Sequence, residues 1–295
     1  MIIINMKGGL GNQIFQYAAG RALSLRRQQK GFIPEKIKLD INGYSAHNGI
    51  DTVRSYSLDV FNVNVEIATN EEIKKLKYPF GIISKGWRFF RAKILRQFNT
   101  NFNKNIFNSN KQNIYLDGFF QTEKYFIDQE AEIRRDVTLK NALGSEARSF
   151  SNMIKNTPKS VSLHIRRGDY VHDPATNKYW GTCTIDYYIK ALETLTSKIG
   201  TDIHVFVFSN EVEWVKENMP IPYPVTYVSS PNIKDYEELM LMSLCKHNVI
   251  ANSSFSWWGA WLNQNPDKIV IAPRRWVLKD ESNYKDIVPS SWIRM

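Results

Sequence analysis

SVSLHIRRGDY, residues 160–170, is the stretch on which the reading of this chain turns. Ser160 to Ile165 have the alternation and β-branching of a buried strand, yet two permanent positive charges follow at once, before Gly168 and Asp169. Successive side chains of a strand face opposite ways, so His164 and Arg166 fall on one side and Ile165 and Arg167 on the other. Only one arginine need therefore enter a site. Arginine keeps its charge at any physiological pH and presents a planar fork that matches phosphate oxygens, which suits a diphosphate leaving group. Gly168 lets the backbone turn, and Asp169 can either fix an arginine or act on a substrate hydroxyl. The embedded RGD tripeptide is weak as an adhesion signal, because such loops work when extruded and this one follows directly on a core strand.

Downstream the pattern is regular. TIDYYIKALETLTSKI reads as a helix capped by Thr184, DIHVFVFSN as a strand, EVEWVKEN as a short helix and YPVTYVS as a strand. KDYEELMLMSLC is then a helix, HNVIAN a strand, SSFSWWGAWLN a serine-capped helix and KIVIAPRRW a strand. Strands alternating with helices imply βαβ units and a parallel sheet covered on both faces, with ligands at the carboxyl ends of strands. At the N-terminus IIIN reads as a central strand, KGGLGNQ as a glycine-rich turn and IFQYAAGRALSLRRQQK as a helix. Between residues 31 and 160 only helical patches near 70–78 and 84–98 and the strand-like NIYLDGFF, 113–120, are readable.

Two further motifs sit at strand ends. In GGLGNQ, Gly9 and Gly11 match the first two positions of a dinucleotide fingerprint, but Ile14 occupies the third. What remains is a close backbone approach at the start of a helix, with Asn12 and Gln13 as neutral donors, or simply a tight turn with polar caps. In ANSSFSWWGAWLN, 251–263, Ser253 and Ser254 stand where a strand gives way to a helix and form an anion-binding corner. Phe255, Trp258 and Trp261 recur at three-residue steps, the spacing of a buried face. FSNEVEW, 208–214, is another strand end, where Asn210 or Glu211 reaches a ligand or caps a helix.

Taken in order, GGLGNQIFQYAAGRAL, HIRRGDY and NSSFSWWGAWL resemble the bacterial-type α-1,2-fucosyltransferases of glycosyltransferase family 11. The resemblance runs from residue 1 to about 275. It implies a GT-B-like α/β fold of two Rossmann-like domains facing across a cleft. We place these at 1–155, on the acceptor side, and 156–295, binding the nucleotide sugar, with the last residues packing back on the first domain. It implies GDP-β-L-fucose as donor, transfer with inversion to a galactose 2-hydroxyl, and no required metal or cofactor. By motif, Arg166 grips the β-phosphate with His164 beside the nucleotide, and Ser253, Ser254 and Phe255 line it, with Asn210 on the donor side. Gly11, Asn12 and Gln13 face the sugar or acceptor. Asp169 is the candidate base, Asp173 the next carboxylate, and Asn12 an alternative that only orients the acceptor.

Composition is consistent with this. The 295 residues are 43% hydrophobic and 23% charged, a globular balance. Cys183 and Cys245 lack any zinc or disulfide spacing, no run is long enough to span a membrane, and MIIINMKGG is too short for a signal peptide, so a cytoplasmic enzyme is expected. The net charge of +10 favours acidic partners. Lys85, Arg88, Arg91, Lys93, Arg96, Lys104 and Lys111 fall in a stretch, 81–116, without a single acid, and Trp87, Phe90, Ile94 and Phe98 interleave with them. Two readings fit: a solvated face of a packed helix, or a basic amphipathic helix touching an anionic membrane. A nucleic-acid-binding protein is the reading from another class, but no nucleic-acid-binding module is legible, so no nucleic acid partner is expected. Another donor sugar on the same scaffold is the alternative within the enzyme class.

Overall fold

The structure, a computed structural model, describes residues 1–44, 55–78, 101–110, 112–279 and 281–295. The chain divides into two compact units, Met1–Lys140 with Asn283–Ile287, and Asn141–Ser282 with Val288–Met295. The boundary thus falls before 155. The reason is the helix Ser145–Asn156, whose Ala147 and Ile154 belong to the core of the second unit.

The first unit is built on β1 (Ile2–Asn5), whose three isoleucines are fully buried. It lies parallel between β2 (Ile37–Asp40) and β4 (Ile114–Leu116), and β3 (Glu66–Ile67) extends β2, giving the order β3-β2-β1-β4. Helix α1 (Leu10–Gln29) starts a turn earlier than its apolar spacing suggests, with Gly9 at its N-cap, so Gly11, Asn12 and Gln13 form its first turn. Around this sheet lie α2 (Asn70–Lys77), α3 (Lys104–Phe107) and α4 (Glu130–Asp136). A reciprocal capping box of Thr69 and Glu72 starts α2. Tyr17 donates to the buried Asp136 at 2.8 Å and Arg21 pairs with the same carboxylate at 2.9 Å, tying α1 to α4. The segment 283–287 is held by Asp286, which accepts from Phe102 N and Lys124 Nζ.

In the second unit β5 (Ser160–Ile165) is buried throughout and lies parallel between β6 (His204–Ser209) and β8 (His247–Val249). β7 (Val225–Tyr227) flanks β6, while β9 (Val270–Ala272) and β10 (Ile293–Arg294) continue from β8. The order β10-β9-β8-β5-β6-β7 reads, in the unit's own strand numbers, as 6-5-4-1-2-3, the doubly wound Rossmann order. Only β10, with two residues, has no counterpart in the sequence reading.

The helices of this unit are α5 (Ser145–Asn156), α6 (Asp169–His172), α7 (Pro174–Trp180) and α8 (Ile185–Ile199), followed by α9 (Val212–Asn218), α10 (Asp235–Leu244) and α11 (Ser254–Leu262). Val161, Leu163, Val205 and Val207 pack with Leu192 and Val215 on one face of the sheet. Phe206 and Phe208 pack with Ala147, Leu241 and Met242 on the other. Thr184 caps α8 through Tyr187 N, as its position suggests. Among the described residues no helix is long and apolar enough to cross a membrane. Of the basic stretch, Lys85, Arg88, Arg91, Lys93, Arg96 and Lys111 lie outside the described residues.

Candidate active site

In this strand order β5 and β8 are neighbours whose connections leave in opposite directions, and the crevice at their carboxyl ends is where open parallel sheets take ligands. Two of the sequence motifs end there. HIRRGDY leaves β5 and ANSSFSWW leaves β8, and Tyr170 Oη lies 3.5 Å from the carbonyl of Asn252, joining the two loops.

The arginines diverge as strand alternation requires. Arg166 forms an ion pair with Asp169 three residues on, and its guanidinium lies 5.4 Å from the ring centre of Tyr170. Arg167 turns away, with Nε 2.8 Å from Glu211 Oε2 and its guanidinium 3.4 Å over the ring of Trp214. Gly168 sits at φ +50°, and a Cβ there would lie 2.0 Å from Asn210 Nδ2. Glu211 receives Gly168 N at 2.9 Å and His172 Nε2 at 2.7 Å. Burial opposes its ionisation, but the bonds from Arg167, His172 and Gly168 outweigh this and hold the carboxyl below its usual range. Asn210 accepts from Arg167 N at 3.0 Å and so braces the loop. The loop is therefore a preorganised frame in which Glu211 holds Arg167 and Asp169 aligns Arg166.

His164 is 4% exposed, and among the described residues its Nδ1 has no hydrogen-bond partner. Burial, with the charge of Arg166 beside it, lowers its pKa to about 3, so the imidazole is neutral. A buried polar atom without a partner is costly, and a bound ligand is one remedy. Phe255 packs on it with ring centres 5.8 Å apart. Ser253 caps α11 by accepting from Phe255 N at 3.3 Å, and Ser254 is the first helical residue. No acid stands in that first turn, so the positive end of the helix dipole is unopposed by its own residues. Trp257, Trp258 and Trp261 are core residues, 0%, 0% and 3% exposed, as their helical spacing suggests.

Two corrections concern carboxylates and amides. Asp173 is committed as the N-cap of α7, accepting from Ala175 N and Thr176 N, and the Thr176 hydroxyl with these amides lowers its pKa. Gln13 is fully buried in the first unit, its amide donating to Gly8 O and Ser55 O and accepting from Ser57 N. It pins a loop and does not face a substrate, and Gly11 is buried beside it. Asn12 alone of that triplet is partly exposed, accepting from Gln121 Nε2 at 2.7 Å. Asp169 is found fixing Arg166, one of the two tasks its position suggested.

Asn252 escaped the sequence reading. It is 3% exposed, and its amide donates to the carbonyls of Trp180, Gly181 and Trp276, tying two other segments to the serine corner. Only its place directly before Ser253 could have signalled this.

A Rossmann-ordered sheet with an aligned arginine, a serine-started helix and a buried neutral histidine at its switch point defines an α/β protein with a crevice suited to an anion. Residues 62–295 match the model of glycosyl transferase family 11, and the chain belongs to that family: it is a glycosyltransferase. It is 34% identical to the alpha-1,2-colitosyltransferase of Escherichia coli over 100% of this chain and 99% of the relative. It is 31% identical to the Escherichia coli O-antigen biosynthesis glycosyltransferase WbnK, over 98% and 99% respectively. Against galactoside alpha-(1,2)-fucosyltransferase 2 of Mus musculus identity is 23%, over 98% of this chain and 75% of the relative.

Proposed function

We propose that the enzyme transfers L-fucose from GDP-β-L-fucose, with inversion, to the 2-hydroxyl of a terminal β-galactoside. The observation that carries this reading is Arg166, held by Asp169 at the carboxyl end of β5 in a family 11 chain. We assign it to the β-phosphate. Its charge meets the negative charge that grows on the departing GDP, and the first amides of α11 with Ser253 and Ser254 add dipoles of the same sign. Because this set is fixed before the substrate arrives, it needs little reorganisation in the transition state. Asp169 acts through Arg166, as an orienting carboxylate. From the first unit we assign Asn12 to orienting the acceptor hydroxyl, whose proton passes late to solvent water, after the glycosidic C–O bond has lengthened.

One observation favours a second donor. A relative at 34% identity is named an alpha-1,2-colitosyltransferase, and colitose is a 3-deoxy analogue of fucose. A site built to hydrogen-bond the 3-hydroxyl rejects the deoxy sugar strongly, whereas an apolar one does not. Incubation with lactose and each GDP sugar in parallel separates them. The first reading expects GDP release with GDP-fucose and a product carrying an α-1,2-linked fucose. Turnover only with GDP-colitose establishes the second, and no turnover with either removes both. The basic stretch containing Lys85 to Lys111 we assign to reversible contact with an anionic membrane face. Absence of co-sedimentation with anionic vesicles at low salt removes that assignment.

A further inference from the structure

The mechanism leaves a half-buried carboxylate, Glu238, unused. Glu238 lies in the first turn of α10, where its neighbour Glu237 does the capping, accepting from Lys234 N at 3.0 Å and Gly144 N at 2.7 Å. Among the described residues no cation pairs with Glu238; its partner is the hydroxyl of Ser229, which also accepts from Ser209 N at 3.0 Å. Burial, ahead of the charge of Asp235, raises its pKa to about 7. A carboxylate held this way is short of donors.

Packing places it against the site. Both α10 and α11 follow strands of one parallel sheet and cover the same face, so they run side by side in the same direction. They touch at Gly259 and Met242, where a Cβ on Gly259 would lie 2.8 Å from Met242 Cβ. One helical turn towards the N-terminus from that contact stand Phe255 on α11 and Glu238 on α10. Phe255 is the ring that packs on His164, and His164 is paired across the sheet with Phe208, immediately before Ser209. Aromatic ring, neutral imidazole and carboxylate are thus gathered at the ends of β5, β6 and β8.

We infer that Glu238 reads the guanine of the donor nucleotide, accepting hydrogen bonds from the ring N1–H and the exocyclic 2-amino group, with Phe255 against the base. The inference rests on the proposed use of a GDP sugar and says which part of the fold selects it. Guanine presents two adjacent N–H donors on one edge, matching the two oxygens of a carboxylate. Adenine and cytosine offer a ring acceptor at the corresponding place, and uracil flanks its single N–H with carbonyls. Hypoxanthine keeps N1–H but lacks the amino group, so IDP is the discriminating probe.

The test is calorimetric titration of GDP, IDP, ADP and UDP into the full-length protein and its Glu238→Gln and Arg166→Ala variants, with thermal unfolding to establish that each is folded. We expect the wild type to prefer GDP to IDP by about tenfold or more, as the loss of a bond to a charged acceptor requires. Glu238→Gln, which turns an acceptor into a donor at nearly constant volume, should collapse that preference towards unity. Arg166→Ala should weaken GDP and IDP alike and leave their ratio intact. A Glu238→Gln protein that keeps the wild-type ratio overturns the inference while leaving the GDP-sugar reading standing. A wild type that binds ADP or UDP as well as GDP, or none of the four, overturns the reading beneath it as well.

Discussion

β1 and β5 occupy equivalent places, each the first strand of its own Rossmann-ordered sheet and each followed by a glycine-containing loop, yet the two loops use their polar side chains in opposite ways. After β1, Gln13 and Gln16 turn inward. Gln13 bonds the backbone at Gly8, Ser55 and Ser57, and Gln16 bonds both backbone groups of Lys7. After β5 the charged groups stay at the strand end, partly exposed and paired with one another. Neutral amides can satisfy a buried backbone without a counter-charge, whereas burying a guanidinium demands a partner. The first loop is therefore a strut with one residue, Asn12, left for chemistry. The second is an electrostatic device.

Substitutions that break this contrast should rank accordingly. Arg166→Ala removes the cation that Asp169 aligns at the end of β5 and should lower transfer by about 10²–10³-fold while circular dichroism shows an unchanged fold. Gly168→Ala should destabilise the second unit by about 1–3 kcal/mol, because alanine at φ +50° is strained and its Cβ meets Asn210. Adding Asn210→Ala should return only the contact part of that loss, which unfolding in urea can read.

The titration of Glu238 sharpens the picture at the same sheet edge. A group with a pKa near 7 must be ionised to accept from guanine, so GDP affinity should fall as pH drops below about 7, approaching tenfold per unit. Asp235 in the same turn favours protonation, Ser229 opposes it, and Glu146 on α5 is taken up by Ser230 and Asn232. Glu238→Gln should lose this component and keep only that of the phosphate. The smallest effect belongs to the first loop. Asn12→Ala should raise the acceptor KM by about three- to tenfold, the size of a single neutral hydrogen bond, and leave GDP binding untouched.

Much of the second unit was legible because its longer strands, β5 and β6, are apolar alternating runs and two of its helices carry a recognisable hydroxyl cap at Thr184 and Ser253. Strands of two residues, such as β3 and β10, carry no periodicity and escaped. Among candidate site residues, the common face of Arg166 and His164 followed from strand alternation, and the cap at Ser253 from its place where strand gives way to helix. Gln13 looked like a ligand because its partners lie 42 and 44 residues away, a distance no local pattern encodes. Asn252 and Glu238 were hidden for a related reason. Their meaning comes from the loops and helices packed around them, and a lone asparagine or helix-start glutamate is ordinarily a cap.

The central claim is that the end of β5 grips a diphosphate through Arg166, and calorimetric titration of GDP and of guanosine into wild type and Arg166→Ala tests it most directly. GDP affinity should fall by about 10–150-fold in the variant, as expected for losing charge-assisted hydrogen bonds, with guanosine affinity unchanged. Equal GDP affinity in the two proteins would contradict it.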